Sequence, residues 1–145
     1  MNMKNGVKTA LIALDLAPRI FKEGFLHFAE RALTKQLDNA SQIKDEAVRA
    51  SAMKEIAKKF EKLGEKSWRQ NKAARSKAVD YLNTAAKIYT EFSMFKDAAG
   101  CHNLASEKAP DLGTSLKHFN SMSTAKKLAE LTHYGNLMVS PAHNH

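Results

Sequence analysis

Side chains that could hold a metal ion lie near the two ends of the chain. Glu23, His27 and Glu30 recur at spacings of four and three, which places them on one face of a helix. Glu130 and His133 form an E-x-x-H pair, which is part of the ligand set of carboxylate-bridged metal centres in helical bundles. The chain lacks a second E-x-x-H pair at the required spacing. We therefore expect incidental surface pairs and no metal site, with a helical-bundle metalloprotein as a distant alternative.

Motifs for nucleophilic or cofactor chemistry are missing from the sequence. Cys101 is the single cysteine and lies in a run of small residues, which predicts a buried, reduced thiol. The chain contains no phosphate-binding loop, no glycine-rich dinucleotide turn, no G-x-S-x-G and no Cys/His nucleophile pair. The sequence predicts neither a catalytic residue nor a cofactor, and a protein that is not an enzyme.

Positive charge is concentrated in the middle of the chain. The whole sequence has 23 Lys or Arg against 15 Asp or Glu, a net charge of +8, and residues 58–77 contain eight of the former and two of the latter. At about 100° per residue, many of these side chains share one side of a helix, opposite Phe60 and Ala74. The alternative is a solvated face that only keeps the protein soluble. The predicted basic ridge consists of Lys58, Lys62, Lys66, Arg69, Lys72 and Lys77.

A unit of 34 residues, 79–112, has small and apolar residues at helical spacing in two segments, the second of which ends at a proline. They are Leu82, Ala85, Ala86 and Tyr89 in the first segment, and Ala98, His102, Ala105 and Pro110 in the second. The pattern resembles the tetratricopeptide repeat, in which small residues let two antiparallel helices pack closely. In that comparison Ala86 stands at the usual glycine and Leu82 at the usual tryptophan.

Two short segments of the same unit also resemble soluble NSF attachment proteins. These segments are Ala85–Tyr89, with the sequence AAKIY, and Lys96–Cys101, with the sequence KDAAGC. The resemblance implies a helical adaptor that binds a partner bundle through a basic surface. A shift by 34 residues gives no second copy, so a generic helical hairpin within a bundle remains the alternative.

The composition determines the fold class that we expect. Helix formers dominate, there are 6 Gly and 3 Pro, and no window alternates as a strand does. No apolar stretch approaches the roughly 20 residues that span a bilayer. We therefore predict a single all-α domain over residues 1–145, a compact bundle of about five helices in the cytoplasm, with loose tails at 1–6 and 135–145.

The boundaries follow from proline, glycine and capping residues. Asp45 and Glu46 suit the start of a helix. We favour one long helix with a weak point at Gly64–Ser67, and the alternative is two nearly collinear helices. The predicted elements are an apolar segment 7–17 and helices over 18–37, 41–92, 94–108 and from Thr114 or Ser115 to His133.

These features favour an adaptor or protein-binding module that docks an acidic protein through the basic ridge and a groove of the hairpin. Phe92, Met94 and Phe95 surround the hairpin turn and are predicted to form an exposed apolar tip, unless Phe95 packs back into the core. The alternative partner is nucleic acid or an anionic membrane surface. The oligomeric state stays open.

Overall fold

The computed structural model describes residues 3–16, 19–67 and 72–143, and within these ranges it contains helices and turns but no strand. The predicted all-α bundle is confirmed, with one helix more than expected. The helices are α1 (Met3–Leu16), α2 (Arg19–Ser41), α3 (Glu46–Ser67), α4 (Lys72–Glu91), α5 (Phe95–Lys108) and α6 (Leu112–His143).

Each helix packs mainly on its neighbours in sequence, and α1 also touches α3. The main apolar core runs through the six helices because every helix buries a stripe of residues at three- and four-residue spacing, and a smaller cluster of Val79, Leu82 and Ala105 lies between α4 and α5. The largest side chains that are fully buried include Leu33 on α2, Leu63 on α3, and Leu82 and Tyr89 on α4. The bundle is therefore a row of helical hairpins that share a main core.

The corner between α2 and α3 is built by two short polar side chains. Ser41 Oγ donates to the Asp38 carbonyl at 2.7 Å, and α2 continues to Ser41, past its predicted end at residue 37. Asp45 Oδ1 accepts a hydrogen bond from the Val48 amide at 3.0 Å and caps α3. α3 therefore begins at Glu46 and not at the predicted residue 41, although Asp45 and Glu46 do lie at the start of this helix.

The predicted long helix over residues 41–92 is wrong, and so is the collinear alternative. α3 ends at Ser67, α4 begins at Lys72, and the two helices pack against each other as an antiparallel hairpin. The regular helical spacing of the apolar residues misled the prediction. Two helices that bury stripes in the same core can keep this spacing in register across a short break. The weak point predicted at Gly64–Ser67 does mark the end of α3, where Ser67 Oγ donates to the Gly64 carbonyl at 3.4 Å.

The C-terminal hairpin consists of α5 and α6. The bounds of α5 agree with the prediction, but the cap of α6 is Asp111 and not Thr114 or Ser115. Asp111 Oδ1 accepts from the Thr114 amide at 2.7 Å, and Oδ2 accepts from its hydroxyl at 3.1 Å. Because Asp111 is the cap, α6 starts earlier than predicted, and it continues past the predicted end at His133 through most of the tail that was expected to be loose.

Candidate protein-binding surface

Half of the predicted basic ridge lies on the solvent face of α3. Lys58 and Lys62 are exposed and Lys66 is partly exposed, and each is one helical turn beyond the previous one. The opposite side of the helix buries Phe60 and Leu63. Lys58 Nζ lies 3.6 Å from Glu55 Oε1, a contact between two exposed side chains that contributes little stability.

Two further lysines of the predicted ridge, Lys72 and Lys77, are not on this face. Lys72 and Lys77 belong to α4, which runs antiparallel to α3. Lys77 Nζ lies 3.8 Å from Glu30 Oε2, and the charge of Lys72 helps to lower the pKa of Asp111, which is lowered mainly by hydrogen bonds from Thr114. The single six-residue ridge is therefore wrong because the helix that would carry it is broken, and Arg69 lies outside the described residues.

An open groove of about 830 Å³ lies between the C-terminal part of α2 and the first half of α3. Its lining is mainly apolar, and Val48 is 54% exposed there. Within the described part of the chain, Gln36 Nε2 is the buried side-chain nitrogen that lacks a hydrogen-bond partner, and Gln36 lines this groove. The lining residues are Gln36, Asn39, Ala40, Ile43, Ala47, Val48, Ser51, Ala52, Glu55, Ile56 and Lys59.

The groove and the remaining basic residues share one side of α3. Ser51, which lines the groove, points nearly the same way from the axis of α3 as Lys58 and Lys62. At about 100° per residue, these two lysines lie about 20° to either side of the direction of Ser51. The groove occupies the first half of the helix and the lysines occupy the second half. The combined surface extends about 30 Å along α3, at roughly 1.5 Å per residue. We call this groove with Lys58, Lys62 and Lys66 the α3 surface.

The sequence did not indicate this groove. Ile43 and Ala47 are apolar at helical spacing, a pattern that is typical of core residues, but Ala47 and Val48 are exposed. A signal was present: apolar residues follow each other at 47 and 48, which is a wider stripe than one buried face needs. Periodicity alone does not show whether a neighbouring helix covers that extra width.

The predicted apolar tip at the α4–α5 turn is not formed. Phe92 and Met94 are half-buried and pack against the core, and Phe95 is half-buried as well. Lys54 Nζ lies 6.0 Å from the centroid of the Phe92 ring. The chain reverses at Ser93, whose φ of 57° brings the flanking side chains back toward α3 and α4. Phe92 and Met94 thus belong to the hairpin seam rather than to a docking tip.

The hairpin of α4 and α5 also encloses a polar cluster that the sequence did not reveal. Tyr89 Oη donates to Glu61 Oε1 at 3.1 Å, which joins α4 to α3. Burial raises the pKa of Glu61, and the negative charges of Glu65 and Asp97 raise it further. Burial also raises the pKa of the Cys101 thiol, which is fully buried. The burial of Cys101 agrees with the buried thiol that its sequence context predicted, and a raised pKa makes a thiol less reactive.

The metal-binding candidates do not come together. Glu30 Oε2 accepts a hydrogen bond from Tyr81 Oη at 2.9 Å, so this carboxylate joins α2 to α4. Glu130 is exposed on α6, and the side chain of Glu23 lies outside the described residues. Among the residues that the structure describes, no three His, Cys, Asp or Glu side chains gather in a way that would hold a metal ion.

None of the helices, as far as the structure describes them, is long and apolar enough to cross a bilayer. Comparison of the chain with models of known protein families, with curated proteins and with solved structures gives no match.

Proposed function

We propose that this protein is a helical binding module that takes an amphipathic helix of a partner protein along its α3 surface. The apolar end of the partner helix lies in the groove between α2 and α3, and its acidic end lies over Lys58, Lys62 and Lys66. The observation that carries this proposal is the continuity of an apolar groove and a lysine row on one side of a single helix.

The two halves of the surface have different roles in binding. Burial of one Leu-sized anchor in the groove contributes about 1.5–3 kcal/mol, so the groove supplies most of the affinity. The exposed lysines contribute mainly to the association rate and to the choice of an acidic partner. A partner that binds in this way keeps much of its affinity in salt, because the apolar contact is not screened.

Gln36 adds a polar requirement inside the groove. Its buried Nε2 lacks a partner in the described structure, and an unsatisfied buried donor costs about 1–3 kcal/mol. Because Nε2 is inaccessible to solvent, a backbone carbonyl or a polar side chain of the bound helix relieves this cost only when the Gln36 side chain turns toward the groove. We therefore expect the partner to carry an acceptor among its apolar anchors.

Two further features support an adaptor role. Helices that pack mainly on their neighbours in sequence are typical of helical repeat proteins, which bind partners along extended surfaces. The hairpin of α4 and α5 resembles a tetratricopeptide repeat in its sequence, and its small residues Ala85, Ala86, Ala98 and Ala105 are buried. The unpaired, buried Cys101 suits a reducing compartment such as the cytoplasm.

Designed peptides test the proposal without a known partner. The probe is a helical peptide of about 18 residues, long enough to cover most of α3, with Leu positions in one half and Glu positions in the other. One matched peptide has Lys for Glu, and another has Ser for Leu. Binding is followed by amide chemical shifts of the labelled protein and by fluorescence anisotropy. We expect shifts along α2 and α3 with the Leu/Glu peptide, and much weaker binding of both matched peptides.

Variants of the protein separate the two halves of the surface. Val48→Glu places a negative charge in the groove. The position lies in the first turn of α3, where an acidic side chain is tolerated. We expect this substitution to weaken binding of the Leu/Glu peptide about tenfold, equivalent to roughly 1.4 kcal/mol. Lys58→Glu/Lys62→Glu should weaken binding and reduce its salt dependence. The control Lys87→Glu/Lys96→Glu makes the same charge change on other exposed positions and should bind normally. Equal affinity of all variants, or of the Ser peptide, would contradict the proposal.

The net charge of +8 favours nucleic acid or an anionic membrane as the second candidate partner. The same variants distinguish it when the probe is duplex DNA or a vesicle that contains phosphatidylserine. Binding through phosphate or headgroup charge falls steeply with salt, is lost in Lys58→Glu/Lys62→Glu, and does not respond to Val48→Glu. That pattern would favour the second candidate over a protein partner.

A further inference from the structure

Two histidines face each other across the seam between α5 and α6. His102 Nδ1 and His118 Nδ1 are 3.2 Å apart, and the rings stack with centroids 5.5 Å apart and planes inclined by 27°. His118 is 5% exposed and His102 is half-buried. Ser106 and Ser115 make a second polar contact in the same seam, with Oγ atoms 3.1 Å apart and reciprocal bonds to the two carbonyls.

The short distance between the two Nδ1 atoms limits how many protons the pair can hold while the seam is closed. A hydrogen bond between them requires a donor on one ring and a lone pair on the other, so two neutral rings satisfy it as different tautomers. One additional proton leaves the bond intact. A second additional proton makes both rings donors and places two positive charges at hydrogen-bond distance. The closed seam is therefore incompatible with a fully protonated pair.

The surroundings make protonation less favourable in the folded state than in free histidine. Burial lowers the pKa of both rings, and the charge of His118 lowers that of His102 further. Lys117 on α6 also lowers the pKa of His118, whereas Asp80 on α4 acts in the opposite direction. The pKa values of His102 and His118 are thus both lowered in the closed seam. Below about pH 6.5 the unfolded or opened chain therefore binds more protons than the closed one, and acid destabilises the closed seam.

We propose that the His102–His118 pair is a pH-sensitive device that releases α6 from α5 in mildly acidic solution while the rest of the bundle stays folded. The release is local because, in the described structure, α5 is the helix on which α6 mainly packs. The buried apolar residues of α6 in the described structure include Met122 and Ala125, which share a core cluster with Ala99 on α5. Release would expose this apolar strip and change what the end of the bundle can bind.

Hydrogen exchange across a pH series tests the proposal. Protection factors, corrected for the intrinsic exchange rate, are compared for residues 112–125 and for α3 between about pH 7.5 and pH 5. We expect the protection factors of α6 to fall at least about tenfold more than those of α3 as the pH is lowered. The reason is that the opened seam binds up to two more protons than the closed one. Equal loss in both helices would indicate global acid unfolding and would overturn the proposal.

Substitutions identify the groups that titrate. His102→Gln and His118→Gln keep polar atoms at the seam but do not titrate, so each should make α6 protection less dependent on pH. The control His27→Gln changes an exposed histidine on α2 and should retain the full dependence. If His102→Gln responds to pH as the parent does, the proposal is wrong. All measurements contain a chelator so that adventitious metal does not bridge the rings.

Two further measurements do not depend on the folding of these variants. In the parent protein, the ring protons of His102 and His118 should titrate below the pKa of free histidine, about 6.5, and in coupled steps, and titration of both rings as free histidine would overturn the proposal. In a Cys101→Ala background, Ser106→Cys/Ser115→Cys allows a disulfide across the seam. The oxidised form should keep α6 protected at low pH and the reduced form should not, whereas release of α6 in both forms would contradict opening at this seam.

Discussion

Gly64 on α3 lies directly against Leu82 on α4. A Cβ atom at Gly64 would stand 2.6 Å from Leu82 Cγ and 3.2 Å from the Ala78 carbonyl oxygen. Leu82 is fully buried, and the Ala78 oxygen is backbone, so neither can move away at low cost. The missing side chain therefore sets the separation of α3 and α4 and permits the close hairpin that places the α3 surface.

We expect Gly64→Ala to destabilise the protein although alanine is the better helix former. The clash with Leu82 and Ala78 should cost about 1–3 kcal/mol, more than the roughly 0.5–1 kcal/mol gained in helix propensity. Urea denaturation followed by circular dichroism measures the difference. Gly100→Ala is the matched control: a Cβ there meets nothing within 4 Å, so it should stabilise by about 0.5–1 kcal/mol. Stabilisation by both substitutions would contradict the packing argument.

The sequence predicted the class of fold because helix propensity and capping are local properties. The cap at Asp45 and the limits of α5 follow directly from residue types. The sequence did not predict the hairpin of α3 and α4, because the spacing of apolar residues indicates which side of a helix is buried but not where the chain reverses. Gly64 was recognised as a weak point, whereas its contact with Leu82 is a tertiary fact that local patterns do not contain.

The same distinction explains the candidate surface. Lys58, Lys62 and Lys66 share a helix face by spacing alone, and the structure keeps them together. Their predicted continuation into Lys72 and Lys77 required an unbroken helix, so it failed with that helix. The groove beside them depends on what α2 leaves uncovered, which is a property of the assembled bundle.

Glu61 is expected to reduce stability at neutral pH. Burial raises its pKa, so the folded state holds its proton more tightly than the unfolded state, and stability falls as the pH rises above the unfolded value of 4.5. Glu61→Gln keeps an oxygen that accepts from Tyr89 and removes the charge. Because the side chain is partly exposed, we expect a gain of at most about 1 kcal/mol at pH 8.

Thermal and urea unfolding of Glu61→Gln at pH 5 and pH 8 check this expectation, and the gain should be larger at the higher pH. Glu107→Gln on the exposed face of α5 is the control and should show little effect at either pH. Glu61→Ala removes the acceptor as well and should destabilise by about 1–2 kcal/mol. A loss of stability in Glu61→Gln that grows with pH would reverse the assigned direction.

Ser93 between α4 and α5 should tolerate glycine better than serine. Its φ of 57° is in the left-handed region, which costs a residue with a Cβ about 1–2 kcal/mol. Ser93→Gly removes this cost but increases the flexibility of the unfolded chain, so we expect a net gain of about 0.5–1 kcal/mol. Ser93→Val should lower stability, since a β-branched side chain is poorly accommodated there. Denaturant titration of the three proteins should therefore rank Gly above Ser and Ser above Val.

Cys101 should react with a thiol reagent only when the hairpin opens. Its side chain is fully buried, and burial together with the negative charges of Glu61 and Asp97 raises the pKa of the thiol, so the reactive thiolate is scarce. With an opening free energy of about 5 kcal/mol, labelling in native conditions should be at least about a thousandfold slower than in concentrated guanidinium. The matched control is Asn103→Cys in a Cys101→Ala background, because residue 103 is exposed two positions further along α5. That thiol should react quickly in the folded protein. Fast labelling of Cys101 without denaturant would show that α4 and α5 separate readily, and the hairpin would then be a mobile element rather than the support for α3.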